Sequence, residues 1–117
     1  MQKGPLAVVA LKEFQDRATR YWSDAEREEF IRYIGQYPIA GVVIPRSGGL
    51  RKVRWSRAGM GKSGGVRVIY YLVPDRGRLY LMTVYAKSER EDLTPKELKK
   101  FAKLAKDILE KLREKDH

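Results

Sequence analysis

The stretch "GVRVIYYLVPDRGRLYLMTVYAK" (residues 65–87) decides the fold. Its first nine residues are mostly β-branched and aromatic, types that suit a pleated, half-buried surface. "PDRG" (74–77) follows, with a Pro that presets φ and a Gly that tolerates the left-handed region. "RLYLMTVYAK" (78–87) then resumes the strand pattern. Strand, turn and strand in immediate succession predict an antiparallel hairpin.

Working outward, "LRKVRW" (50–55) alternates and adds a third strand, while "IAGVVIPRSGGL" (39–50) reads as a connecting loop punctuated by Gly and Pro. "PLAVVAL" (5–11) reads as an edge or first strand. Two helical patterns separate it from the others, which gives it room to join them in parallel. The first is "KEFQDRATRYW", with Phe14, Ala18 and Tyr21/Trp22 at helical spacing. The second opens with Ser23 and Glu26, the spacing of a capping box; it runs through Phe30, Ile31 and Ile34 and ends at Gly35 and Pro38. After the hairpin, Thr94, Pro95 and Glu97 supply an N-cap, a first-turn Pro and a reciprocal cap. Leu98, Phe101, Ala105, Ile108 and Leu112 then stripe one helix face. The expectation is one α+β domain over residues 1–117, in the order β-α-α-β-β-β-α, with a small, mostly antiparallel sheet and helices packed on one face.

The net charge of +10 is concentrated. Residues 30–85 hold ten basic side chains and one acidic, Asp75, whereas both flanks are nearly balanced. Solubility charge intersperses both signs. One-signed charge in one segment favours a polyanion, most simply nucleic acid. There is no Cys, and the only His is His117, the last residue. Disulfides, Cys/His metal sites and histidine catalysis are therefore not expected, and no carboxylate spacing suggests a metal or other cofactor. The apolar run near the start is too short for a signal peptide or a membrane span, so the reading is a cytoplasmic protein with no membrane partner.

Strand alternation sorts the chemistry. Val53 and Trp55 share one face, and Lys52 and Arg54 the other. Arg67 lies on the opposite side from Val66 and Val68. In the last strand, strict alternation groups Tyr80, Met82, Val84 and Ala86 against Thr83, Tyr85 and Lys87. Burying the cations in an apolar core would be prohibitive, so an uncovered face is expected to collect Lys52, Arg54, Arg67, Tyr85 and Lys87.

"GKS" (61–63) resembles the end of a phosphate-binding loop, but Ser56 stands where the first Gly belongs and a strand follows where a helix is required. A nucleotide cofactor is not expected. The segment reads instead as a Gly-rich basic connection carrying Arg57 and Lys62.

The run "GGLRKVRW…GMGKSGGVRVIYYL…LYLMTVYAKSEREDLTPKE" resembles the HigB-like branch of the RelE/ParE toxin superfamily. The resemblance covers most of the chain. It implies a RelE-like fold and a toxin of a type II toxin–antitoxin module. The implied activity is that of a ribosome-dependent endoribonuclease acting on mRNA, neutralised by a helix-turn-helix antitoxin. It also implies that Lys52 and Arg54 hold the substrate backbone, that Arg67 stabilises the scissile phosphate, and that Tyr85 and Lys87 match positions at the end of the last strand. Here Ser88 follows Lys87 and no Tyr lies beyond Tyr85, so the acid and base roles of RelE itself do not transfer.

Cleavage without histidine needs other proton carriers. Arginine keeps its proton, so Arg67 would act electrostatically on phosphate oxygens. Lysine becomes a better base beside other cations, which suits Lys87 if register places it near Arg67 and Arg54. Tyr85 would donate a proton or stack on a base. Lys52, Arg54, Arg57 and Lys62 would clamp the RNA backbone. A ParE-like inhibitor of DNA gyrase on the same fold, a non-catalytic RNA-binding module and an inactive toxin kept to bind its antitoxin remain as alternatives.

Overall fold

The computed structural model describes residues 6–56 and 65–114. Strand β1 (Ala7–Ala10) leads into helices α1 (Lys12–Ala18) and α2 (Asp24–Gln36). Strands β2 (Val42–Val43), β3 (Leu50–Trp55), β4 (Val66–Val73) and β5 (Arg78–Ala86) follow, and helix α3 (Pro95–Glu114) ends the described chain. The five strands form one sheet in the order β1-β5-β4-β3-β2.

The local signals act as their chemistry requires. Ser23 Oγ accepts from the Glu26 N–H at 3.2 Å, and the Glu26 carboxylate accepts from the Ser23 N–H at 2.8 Å. Thr94 and Glu97 repeat the same reciprocal cap at the start of α3. Two orphan N–H groups are satisfied at each helix start. Between β4 and β5 the chain turns through a short 3₁₀ segment, Pro74–Arg76, and Gly77 takes the left-handed conformation with φ 65°. β1 joins β5 in parallel, with Val8 opposite Leu79 and Val9 opposite Tyr80.

The segment read as a loop before β3 contains a short strand. Val42 pairs with Lys52 and Val43 with Arg51. Tyr70 holds the preceding turn from beneath. Its hydroxyl donates to the Pro38 carbonyl at 2.7 Å and accepts from the Gly41 N–H at 2.9 Å. A side chain on Gly41 would collide with that ring and with the Lys52 carbonyl, so only glycine fits there.

The α+β class and element order match the sequence reading, but helices cover both faces rather than one. α1 and α2 pack Phe14, Ala18, Phe30 and Ile34 against Val53, Val66, Val68 and Tyr70. α3 packs Phe101, Ala105 and Leu112 against Leu50, Ile69, Tyr71 and Val73. The cause lies in β4, which is apolar at both parities over most of its length. A strand of that kind must be buried on both sides.

A second correction concerns β5. Ile69 pairs with Thr83 but Tyr70 pairs with Leu81, so Met82 is an extra residue in the ladder. This β-bulge reverses the alternation. Leu79, Leu81, Val84 and Ala86 face α1 and α2, while Tyr80, Met82 and Tyr85 face α3. Strict alternation had grouped Tyr80 and Met82 with Val84 and Ala86.

Candidate nucleic-acid interface

Register assembles the site. Arg54 lies directly opposite Arg67 across the β3–β4 pair, and Arg67 directly opposite Tyr85 across the β4–β5 pair. The three form a row across the sheet at the end where β4 begins. Alternation places Lys52 on the same face, one position along β3. The grouping expected of Lys52, Arg54, Arg67 and Tyr85 is therefore present. The face is not bare, however, because α3 covers its other end.

Depth differs along the row. Arg54 is exposed, Arg67 is half-buried, and Tyr85 is 1% exposed with its ring in the α3 core. The Arg90 guanidinium stands over the Tyr85 ring, 5.4 Å from its centroid. No ring face is left for a base, so the stacking role expected of Tyr85 does not suit this arrangement. Its hydroxyl is the available group. Burial pushes that hydroxyl up to about 12, with Asp92 adding to the effect and Arg67 and Arg90 opposing it. The phenol thus holds its proton at neutral pH and serves as a donor.

Among the described residues, no acceptor reaches the buried Nη1 of Arg67. A buried guanidinium N–H without a partner is costly, and a ligand oxygen would supply the missing acceptor; Trp22 Nε1, inside the aromatic layer, is the other such donor among the described residues. A shallow pocket lined by Ala40, Val42, Lys52, Val53, Arg54 and Arg67 opens beside it.

Lys87 follows the end of β5. Its backbone N–H donates to the Gly65 carbonyl at 3.2 Å, and its side chain is exposed. Among the described contacts, none joins the Lys87 side chain to Arg67 or Tyr85. Arg57 and Lys62 lie outside the described residues.

Sequence reasoning missed the segment after β5. Asp92 Oδ1 accepts from the Tyr85 hydroxyl at 3.4 Å and lies 3.5 Å from Lys52 Nζ. The Arg90 guanidinium donates to the Asp92 carbonyl at 3.1 and 3.0 Å, and it pairs with Glu97 in the first turn of α3. Further back, the Tyr21 hydroxyl donates to Glu89 at 2.5 Å. The density of charge in "SEREDL" (88–93) was the available signal. Its partners follow from the path of the chain back across the sheet end, which no local pattern encodes.

The fold and this row define a class: a small α+β protein whose sheet ends in a cationic, partly buried cluster suited to phosphate. Comparison makes the class specific. A family model described as the RelE toxin of the RelE/RelB toxin–antitoxin system matches residues 44–116, and the chain belongs to that family. It is also similar in structure to the toxin–antitoxin complex RelBE2 of Mycobacterium tuberculosis, at a TM-score of 0.58 and 14% identity, covering 78% of this chain and 98% of that one. A mutant of the E. coli toxin RelE in the free state gives a TM-score of 0.52 at 13% identity, covering 74% and 88%. At those identities the likeness is one of fold. No helix among the described residues is long and apolar enough to cross a membrane.

Proposed function

We propose that this toxin-family chain is a ribosome-dependent endoribonuclease that cuts mRNA in the cytoplasm, and that a helix-turn-helix antitoxin neutralises it. One observation carries the reading: the row Arg54–Arg67–Tyr85, with a buried guanidinium N–H that no acceptor reaches among the described residues. A phosphodiester offers what that group lacks. Two oxygens of the scissile phosphate would meet the Arg67 fork, and the charge that builds there in the transition state would strengthen the contact.

Other groups divide the remaining work. The Tyr85 hydroxyl is held protonated beside Arg67 and would protonate the departing 5′-oxygen. Lys87 is exposed at the end of β5 and, in its neutral form, would take the proton of the attacking 2′-OH once ribosome-bound RNA brings the two together. Lys52 and Arg54 would hold flanking phosphates, joined by Arg57 and Lys62. The row contains no group in evident position to take the 2′-OH proton without the ribosome. That fits an enzyme whose substrate is oriented by the particle that carries it. The HigB-like branch is supported by the motif run alone.

The test is induction in bacteria followed by mapping of mRNA 5′ ends. Cuts within translated regions, in frame, are expected. DNA damage without such cuts would instead support gyrase inhibition.

A further inference from the structure

We propose that Asp92 is a built-in anion that occupies the phosphate position between Lys52 and Tyr85, and that RNA enters by displacing its side chain. The inference rests on the RNA-binding reading of the row. Asp92 Oδ1 lies within reach of both the Lys52 ammonium and the Tyr85 hydroxyl, the two donors that flank Arg67 on this face. A carboxylate there meets the donors that a phosphate oxygen would meet. The clasp is weak by construction, because its contacts to Lys52 and Tyr85 are long and the Asp92 side chain is 63% exposed; the shorter contact of Oδ1, from the Leu93 N–H at 3.0 Å, is local to the turn. Exposed ion pairs of this kind shift an equilibrium by no more than about fivefold.

The backbone around it is held separately. Arg90 grips the Asp92 carbonyl and pairs with Glu97 on α3. Asp92 can therefore swing its side chain out, giving up only the Leu93 N–H contact to water, while the segment stays in place. In its closed position the carboxylate covers the hydroxyl of a residue that is only 1% exposed. Displacement by RNA would free the Tyr85 donor and the Lys52 charge in one step. A polyanion lacking a phosphate at this position would leave them capped.

The test measures binding of a short 2′-O-methyl oligouridylate, which resists cleavage, to the whole chain at several salt concentrations. Asp92→Asn keeps the side-chain oxygen that accepts from the Leu93 N–H, so the local turn survives. Removing the clasp is expected to tighten binding by about threefold to fivefold. It should also steepen the salt dependence by about 0.7, one phosphate contact on a single strand. Both effects should vanish when Lys52→Ala is already present. Asp75→Asn, in the turn at the opposite end of β4, should reproduce neither.

Two results overturn the inference while leaving the RNA site standing: Lys52→Ala weakens binding but Asp92→Asn changes nothing, or Asp92→Asn tightens binding equally with and without Lys52. If Lys52→Ala and Arg54→Ala both leave affinity and salt slope untouched, the RNA-binding reading fails and the inference fails with it.

Discussion

Under α1 and α2 the sheet meets a continuous aromatic layer. Trp22 stacks on Phe30 at 5.2 Å between centroids, Phe30 meets Trp55 edge-on at 5.4 Å, and Tyr33 closes on Trp55 at 4.8 Å. On the other face the same strands begin in the same manner, with Leu50, Ile69, Tyr71 and Val73 beneath α3. Toward the start of β4 that face changes character and presents Arg54, Arg67 and the Tyr85 hydroxyl. Among the described residues each face holds one buried donor without an acceptor, and the two differ in kind: the neutral indole N–H of Trp22 lies within packed rings, whereas Nη1 of Arg67 is charged and lies where the other face stops short of completion. The difference separates residues that maintain the fold from those proposed to act on a ligand, and mutation can test whether the separation is real.

The largest expected effect is on the aromatic face. Phe30 has no exposed surface and touches both tryptophans. Phe30→Ala should destabilise the protein by about 3–5 kcal/mol, read as a fall in the urea midpoint. A loss below about 1 kcal/mol would mean that this layer can collapse around the gap and is not the rigid half of the comparison.

At the unfinished end the order of effects should reverse. Arg67→Ala removes a guanidinium N–H that is unsatisfied among the described residues, so stability should change by no more than about 1 kcal/mol. Cleavage of ribosome-bound mRNA should fall by about 10²–10³-fold, the usual loss when a donor to developing negative charge is removed. A variant that cuts like the parent protein would move the site elsewhere. A variant that unfolds would place Arg67 among the structural residues and erase the contrast.

Much of this contrast was legible in the sequence, and the parts that were not share a cause. Helix starts were readable because Ser23–Glu26 and Thr94–Glu97 are caps within one turn. The hairpin was readable because "PDRG" has its own turn chemistry. The shared face of Arg54, Arg67 and Tyr85 followed from alternation, which survives on β3, on β4 and on β5 beyond the bulge, whereas their direct cross-strand pairing is set by register, which alternation does not give. Alternation failed on β5 because the bulge at Met82 depends on pairing with β4 rather than on any residue type. The double covering of the sheet was written in β4, where Ile69, Tyr71 and Val73 are as apolar as Val66, Val68 and Tyr70. The single Arg67 on the first set drew the reading toward an open face. Asp92 stayed hidden because its partners lie on two strands and its place depends on how the segment after β5 crosses the sheet end.

The smallest effect concerns what holds that segment. The Arg90 guanidinium beside Glu97 draws its carboxyl down to about 2, from an ordinary 4.5, with the Thr94 cap assisting and burial opposing. A carboxylate whose pKa is lower in the folded state stabilises the fold above its unfolded value. That contribution is complete above about pH 4.5 and fades as the pH falls toward 2. Glu97 is about one-third exposed, so solvent screening limits the contribution to roughly 1 kcal/mol. Glu97→Gln can still accept from the Thr94 N–H, since glutamine serves in a capping box, and loses the charge facing Arg90 together with one of the two oxygens that accept from its guanidinium. Urea midpoints should therefore place the variant slightly below the parent protein at pH 6, and the gap should narrow as the pH falls to about 2. A gap that persisted unchanged at pH 2 would trace the loss to the cap rather than to the ion pair. The segment carrying Asp92 would then be tethered to α3 through Thr94 and not through Arg90.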